Sequence, residues 1–597
     1  MIQRLAHLLG DRAVWGRLAL FALAAAAALP LGFRLFTPEQ IGRMIVHGGY
    51  PFMLLLFVGF VYFAVRVARR IRAENAPAPW RPGAGVLVVA AATIFAVATD
   101  SFAHKVLFDE YVLQGTAWHM HATKEIGAPI RAYDFAGTWL ALDTFLDKRP
   151  YFFAFVVSLL HDLTGFRVEN AYVVNVACAA VTLGVAWWLV RRLTGRRGPA
   201  ALAVALIATL PLFGQNATGA GMEIHNLAMI AVVAAAATLY LERPDEDRVA
   251  LLVLGAALLA QCRYESALFV VPAGLIVAIG WWRSARVVLP WVACLAPLLL
   301  VPCVWLDRFV QSKEILWQLR EGETSRFALS YVSGNLDGAR RFFLSLAPEQ
   351  ANSLWLTITG LVALVVAMVA AVRWVFRPRA ARAAWSPPQV VIALFGLVVA
   401  GNLALLMFYY WSRLDEPIAA RFSLPVYFTL AVLTGWAAHA LDRRWPATHA
   451  AVAGLALWTV VFGSRAYAHR FYTEHNQVMH ELNWELEQIS SRPGPVLLIT
   501  SKATMPFLLQ RIPALNTGIA RARAAELAWH QQLGTFREIL VSRVLRPTTA
   551  DGDPAIDPDD VLPASFQLEP LVRKRFGGRW IEVCRLTSIR PEAASAQ

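Results

Sequence analysis

Between its short arginine-rich stretches this chain is a succession of apolar runs, each close to the thickness of a bilayer, the first beginning near Val14 and the last ending near Ser464. A run of about 20 apolar residues satisfies its backbone internally as a helix and fits the hydrocarbon core of a membrane. Repeated this often, such runs leave a soluble fold too little polar surface. Hydrophobic residues make up 57% of the 597 positions and charged residues 16%, with a mean hydropathy of +0.49. The fold class expected is therefore a polytopic α-helical membrane protein.

Thirteen spans are predicted: 14–33, 48–65, 84–100, 170–190, 199–214, 222–241, 248–262, 266–282, 287–305, 352–373, 389–409, 421–440 and 449–464. The net charge of +14 comes largely from arginines in the short loops. That is the positive-inside pattern, and it excludes a nucleic-acid partner as the reason for the charge. The clusters are Arg66, Arg69, Arg70, Arg72 and Arg81; Arg191, Arg192, Arg196 and Arg197; Arg373, Arg377, Arg379 and Arg382; and Arg443 and Arg444. All four share one face if residues 150–163 lie in the membrane interface instead of crossing.

The expected topology has a cytoplasmic N-terminus, an uncleaved first span and three extracytoplasmic regions, 101–169, 306–351 and 465–597. Three units follow: an N-terminal transmembrane hairpin (1–83), a transmembrane core (84–464) and a small C-terminal domain (465–597). In the last, Val496–Ile499, Ile539–Val541 and Trp580–Val583 read as strands and Ile519–Leu533 as helix, giving a mixed α/β fold. Cys178, Cys262, Cys294 and Cys303 belong to apolar segments and only Cys584 to the polar tail. No CxxC or paired spacing suggests a disulfide framework or a zinc site.

Chemistry is legible where the third span emerges. Asp109-Glu110-Tyr111 places two carboxylates at a membrane surface, and Lys148-Arg149-Pro150-Tyr151-Phe152 places cations before an apolar helix. Carboxylates at a helix start are often simply favourable charges, and cations beside lipid often only snorkel. Their other reading is a general base and a phosphate holder. Arg263 and Arg421 fall near the ends of apolar segments, where an arginine is costly unless it is paired or wet. Glu265 is the near partner for Arg263.

The order of these features resembles the GT-C glycosyltransferases, in particular the group of aminoarabinose transferases and protein O-mannosyltransferases. The resemblance runs from Asp109-Glu110 through Lys148-Arg149-Pro150 to Gly165. It continues to Arg263-Tyr264-Glu265 and to Arg421-Phe422-Ser423-Leu424-Pro425, which looks like the family's Arg-Tyr-x-Leu-Pro. Three departures stand out. A hairpin precedes the acidic pair, the second proline of Lys-Pro-Pro is missing, and the second acidic position appears as Glu223.

The resemblance implies an integral-membrane enzyme that moves a sugar from a polyprenyl-phosphate donor to an envelope acceptor hydroxyl, a glycan, lipid or protein, at the extracytoplasmic face with inversion. Asp109 or Glu110 would be the base, Lys148, Arg149, Arg263 and Arg421 would bind the donor phosphate, and Glu223 would contact substrate. Its partners would be that donor, the bilayer of a bacterial inner membrane and the acceptor. The competing readings are a transporter or flippase of a lipid-linked glycan, and an inactive scaffold; no internal repeat of the transporter kind is visible. No cofactor is expected; a divalent metal stays open as an alternative that no residue spacing supports. His119 and His121 are two residues apart, and with His104 and His161 they lack helical metal-ligand spacing. Asp551-Gly552-Asp553 lies in a Pro- and Asp-rich run that reads as a turn.

Overall fold

The computed structural model describes residues 12–590 except 75–82, 136–137, 314–315, 317–318, 320–322, 324, 348–349, 379–383, 443–444, 446, 462–476 and 548–553. Arg81, Arg379, Arg382, Arg443, Arg444, the end of the last expected span and Asp551-Gly552-Asp553 lie outside those residues.

The chain opens with helices α1 (Arg12–Phe33), α2 (Pro38–Glu74) and α3 (Ala84–Ala98), followed by α4 (Leu107–Thr123). A hairpin of β1 (Ala128–Phe135) and β2 (Thr138–Phe145) leads to α5 (Phe152–Thr164), α6 (Asn170–Thr194), α7 (Arg197–Ala208) and α8 (Pro211–Ala217). Next come α9 (Glu223–Glu242), α10 (Glu246–Ala260) and a 3-10 turn, Tyr264–Phe269, that runs into α11 (Val270–Ser284). Three short pieces, Trp291–Cys294, Ala296–Leu299 and Val301–Gln311, precede α12 (Val332–Phe343), α13 (Leu354–Phe376) and α14 (Pro387–Met407). The 3-10 turn Arg421–Ser423 opens α15 (Leu424–Asp442), which is followed by α16 (Thr448–Thr459).

Eight helices among the described residues are long and apolar enough to cross a membrane, or nine with the bent pair α7–α8, whose axes meet at 70°. The chain is an integral, multi-pass membrane protein. Of the other expected spans, α3 and α10 have 15 residues each, 287–305 is interrupted at Pro290, Pro297 and Pro302, and 449–464 is described only in part. Proline removes a backbone donor and clashes with the preceding turn, so breaks there have a local cause. The apolar stretch of α9 is 83% buried against 6% for that of α1, which makes α9 the axis of the bundle and α1 a peripheral, lipid-facing helix. Helix α5 is short and apolar, with Phe152, Phe153 and Phe155 buried.

The C-terminal part holds α17 (Gln477–Ser490), β3 (Val496–Thr500), α18 (Met505–Leu509), β4 (Ala514–Asn516), α19 (Thr517–Ala522), α20 (Ala524–Leu533), β5 (Glu538–Pro547), β6 (Pro554–Ile556), β7 (Phe566–Phe576) and β8 (Arg579–Ile589). The strands form one mixed sheet in the order β2-β1-β4-β3-β5-β8-β7, with β6 on β5. Every residue of β3 is buried, as suits a strand covered on both faces, whereas β2, at an edge, alternates between exposed and half-buried. Two of the eight strands come from the loop after α4, since Ala132 of β1 pairs with Ala514 of β4. That shared sheet was not apparent from the sequence. It ties α4 to the C-terminal part: a Cβ on Gly115 would meet the Met505 sulfur at 2.5 Å, and Tyr111, Val112 and Trp118 belong to the same apolar cluster as Leu498 and Phe507.

Candidate active site

Five segments distant in sequence bring seven charged side chains into one chain of alternating sign. Asp109 belongs to the first turn of α4, where a carboxylate is favoured by the helix N-terminus. Arg149 lies in the turn before α5, and its Nε and Nη2 donate to Asp109 Oδ1 at 2.8 and 2.5 Å. The same guanidinium grips Asp147 through Nη1, at 2.7 Å from both carboxylate oxygens. Arg421, at the start of the turn before α15, donates from Nη2 to Asp109 Oδ2. Its Nη1 is 2.8 Å from Glu223 Oε1 at the head of α9. Arg263 completes the chain, its Nη1 donating to the same Glu223 oxygen at 2.8 Å and its Nε to Glu265.

The order is thus Asp147–Arg149–Asp109–Arg421–Glu223–Arg263–Glu265. Four carboxylates alternate with three guanidiniums, and the half-buried Lys148 ammonium adds a positive charge beside Arg149 and Asp109. Arg421 is 6% exposed and Glu223 4%, whereas Asp109 keeps 22% of its side chain accessible. The carboxylate is the reachable member of its pair. Burial would push Asp109 up, but the charges and hydrogen bonds of Arg149 and Arg421 outweigh it and hold the carboxyl well below the usual carboxylate range. Arg421 Nη1 meets Glu223 as a close ion pair without an aligned hydrogen bond. Phe422 lies beneath both neighbouring cations, with the guanidinium carbons of Arg263 and Arg421 at 4.8 and 5.5 Å from its ring centroid. A ring face below the two guanidiniums supports their planes.

Glu110 turns away from this chain. It accepts backbone N–H groups from Lys105 and, at 3.1 Å, from Ala220, pinning α4 to the turn that precedes Glu223. Burial raises Glu110 to about 7, and nearby Glu223 adds to the effect, while the backbone donors oppose it. The turn needs its glycines. A Cβ on Gly219 would come within 2.8 Å of Glu110 Oε1, and one on Gly221 within 2.3 Å of Glu223 Oε2. Asn175 Nδ2 holds both glycine carbonyls at 2.8 Å.

Asp109, Arg149, Glu223, Arg263 and Arg421, each singled out in the sequence, meet here. The Lys148 carbonyl accepts the Tyr264 hydroxyl, which fixes the turn. Asp147, Asn175 and Gly219 were missed, and Tyr264 and Gly221 were given no role; of the missed residues only Asp147, two residues before Arg149, gave a local signal. The histidines go to separate partners: His121 Nδ1 to Asp162 at 2.6 Å, His119 to Thr123, His161 to Asn170 and His104 to Gln114. No group of three or more metal-holding side chains occurs among the described residues.

A family model described as dolichyl-phosphate-mannose-protein mannosyltransferase matches residues 148–306, a stretch that includes Arg149, Glu223 and Arg263. The crystal structure of ArnT from Cupriavidus metallidurans bound to undecaprenyl phosphate is similar over 84% of this chain and 98% of its own, at 13% identity and a TM-score of 0.51. The chain has a GT-C glycosyltransferase fold. The apo form of the same ArnT matches at 14% identity, 83% and 97% coverage and a TM-score of 0.49. The cryo-electron microscopy structure of arabinosyltransferase EmbB from Mycobacterium smegmatis matches at 14% identity, 88% and 49% coverage and a TM-score of 0.38. No curated protein matches the sequence.

Proposed function

We propose that this protein is a glycosyltransferase that moves a sugar from a polyprenyl-phosphate donor to an acceptor hydroxyl at the extracytoplasmic face of a bacterial inner membrane, with inversion at the anomeric carbon. The observation that carries this reading is the reachable Asp109 carboxylate held between Arg149 and Arg421. A base next to cations is the pairing that hydroxyl attack and phosphate departure require.

The charges are balanced against one another before a donor arrives, so a phosphate must compete with carboxylates for the guanidiniums. As its oxygens take donors from Arg149 and Arg421, Asp109 loses the contacts that hold its pKa down, and it becomes a stronger base with the donor in place. The acceptor O–H then gives its proton to Asp109 while its oxygen bonds to the anomeric carbon. The bond from that carbon to the phosphate oxygen breaks, and its electron pair leaves on the phosphate, whose added charge Arg149, Arg421 and Arg263 meet. Glu223 spaces two of these cations, and Glu110 positions the turn that carries it.

Mass spectrometry of envelope glycans tests the reading. Deleting the gene should remove one sugar substituent, which the wild-type gene restores and Asp109→Asn does not. Restoration by Asp109→Asn, at equal protein level, would overturn the assignment.

A further inference from the structure

The segment before α13 turns leucines outward. Leu329, Leu336, Leu344 and Leu346 are between 52% and 80% exposed, and together they form a patch on and beside α12. Single exposed leucines are ordinary, but a group of four asks what covers it. The opposite face of α12 is fixed. Asn335, Gly338, Ala339 and Phe342 are buried, and Asn335 Nδ2 donates to the carbonyls of Met407 and Tyr409 at 2.9 and 2.8 Å. Helix α12 is therefore held at the end of α14, with its leucines directed away from the bundle.

The neighbours of the patch identify its cover. Leu336 and Leu344 share one lateral surface with Leu361 of α13 and Leu397 of α14, which are themselves exposed. Both α13 and α14 are long and apolar enough to cross a membrane, so their outer faces meet hydrocarbon. The same hydrocarbon reaches the leucines at the level where the helices end. A helix there, apolar on one side and charged on the other, has the pattern of an interfacial helix. Between Leu336 and Leu344 stands Arg340, with 71% of its side chain exposed. A guanidinium at the depth of the headgroups attracts anionic lipid.

The buried face of α12 leads to the ion chain. A Cβ on Gly338 would come within 2.5 Å of Asp415 Oδ1, and Arg341 Nε is 3.5 Å from Asp415 Oδ2. Between Asp415 and Arg421 lies the short helix Pro417–Ala420, whose Ile418 carbonyl accepts Arg421 Nε at 2.9 Å. A displacement of α12 is carried by this route to the guanidinium that holds Asp109. We infer that α12 docks on the bilayer surface, with its leucines among the acyl chains and Arg340 on an anionic phospholipid headgroup, and that this docking sets Arg421 through Asp415. The docking stands on the fold; its effect on turnover rests on the proposed transferase reading.

Full-length protein in nanodiscs tests both parts. A nitroxide on Leu336→Cys, read against unsubstituted protein treated alike, should be relaxed by oxygen and shielded from a water-soluble nickel chelate. On Gly334→Cys, about 160° round α12 and with nothing within 4 Å of its Cβ, the nitroxide should meet the chelate. Equal access of the chelate to both positions, or shielding of Leu336→Cys from oxygen as well, overturns the docking. Sugar transfer from the native polyprenyl donor is then compared in phosphatidylcholine discs with and without phosphatidylglycerol. The wild-type rate should rise at least threefold with the anionic lipid, whereas Arg340→Gln should keep the phosphatidylcholine rate and lose the rise. Gly338→Ala, which displaces Asp415, should lose the rise while the Leu336→Cys nitroxide stays in lipid. A rise kept by either variant, or absent from wild-type protein, overturns the coupling. Wild-type protein that transfers no sugar in either disc overturns the transferase reading, and the nitroxide result decides the docking regardless.

Discussion

Replacing Asp109 with asparagine should separate two properties that a merely structural residue would lose together. Asparagine retains one acceptor oxygen but removes the charge, and its amide nitrogen must face one of the two guanidiniums that now donate to the carboxylate. Neither cation is stranded by the change, since Arg149 keeps Asp147 and Arg421 keeps Glu223. The protein should therefore fold. General-base assistance contributes ~10²–10⁴-fold, so turnover should fall by that factor, about 3–5 kcal/mol of barrier. Donor binding should move the other way. If the phosphate no longer has to displace even one charge-assisted hydrogen bond, worth about 1.5 kcal/mol, affinity for undecaprenyl phosphate rises roughly tenfold. The rate is read in membranes supplied with the native polyprenyl donor at matched protein level, and the affinity on purified protein. Wild-type turnover would place the base elsewhere. A parallel fall of rate and affinity would make Asp109 a counter-ion and nothing more.

Gly221→Ala should push the Glu223 carboxylate off its cations, because the new Cβ would lie 2.3 Å from Oε2; donor affinity should drop at least tenfold at normal expression, and an unchanged affinity would show that Glu223 does not set the arginines. Glu110 is raised from 4.5 to about 7, so the folded state holds its proton more tightly than the unfolded chain does. Stability from this group is complete below pH 4.5 and is lost as pH rises through 7. Glu110→Gln should flatten that part of the melting-temperature profile, and an unaltered profile would refute the burial argument. Reporter fusions after Arg197 and after Phe471 should report opposite compartments; the same compartment for both would rule out the proposed topology.

Arg263 and Arg421 were legible because each falls near the end of an apolar segment, where an unpaired arginine is costly enough to demand a reason. What joins them was not legible: nothing local says that Arg421 reaches both Asp109 and Glu223, or that Glu110 spends its oxygens on backbone N–H groups. The glycines at 219 and 221 matter through closeness to carboxylates from other elements, which no spacing encodes. Strands β3, β5 and β8 showed their β-branched and apolar runs, and 519–533 showed its helical character, with a break at Arg523 between α19 and α20. The hairpin at 128–145 did not declare itself, since its partner strand lies at the far end of the chain. Segments such as 287–305 were apolar enough to resemble a span, yet their prolines divide them into short helices.

That distant pairing sets a clock on the protein's assembly. The segment carrying Asp109 leaves the ribosome early, but Ala132 must wait for Ala514 before its sheet can close. At roughly 5–20 residues per second the interval is about 20–80 s, during which the helix that bears Asp109 lacks its neighbour at Met505. A nascent or prematurely ended chain would thus be inserted in the bilayer with α4 unsupported, and a strand made near the end of synthesis would fix the setting of a helix made near its start.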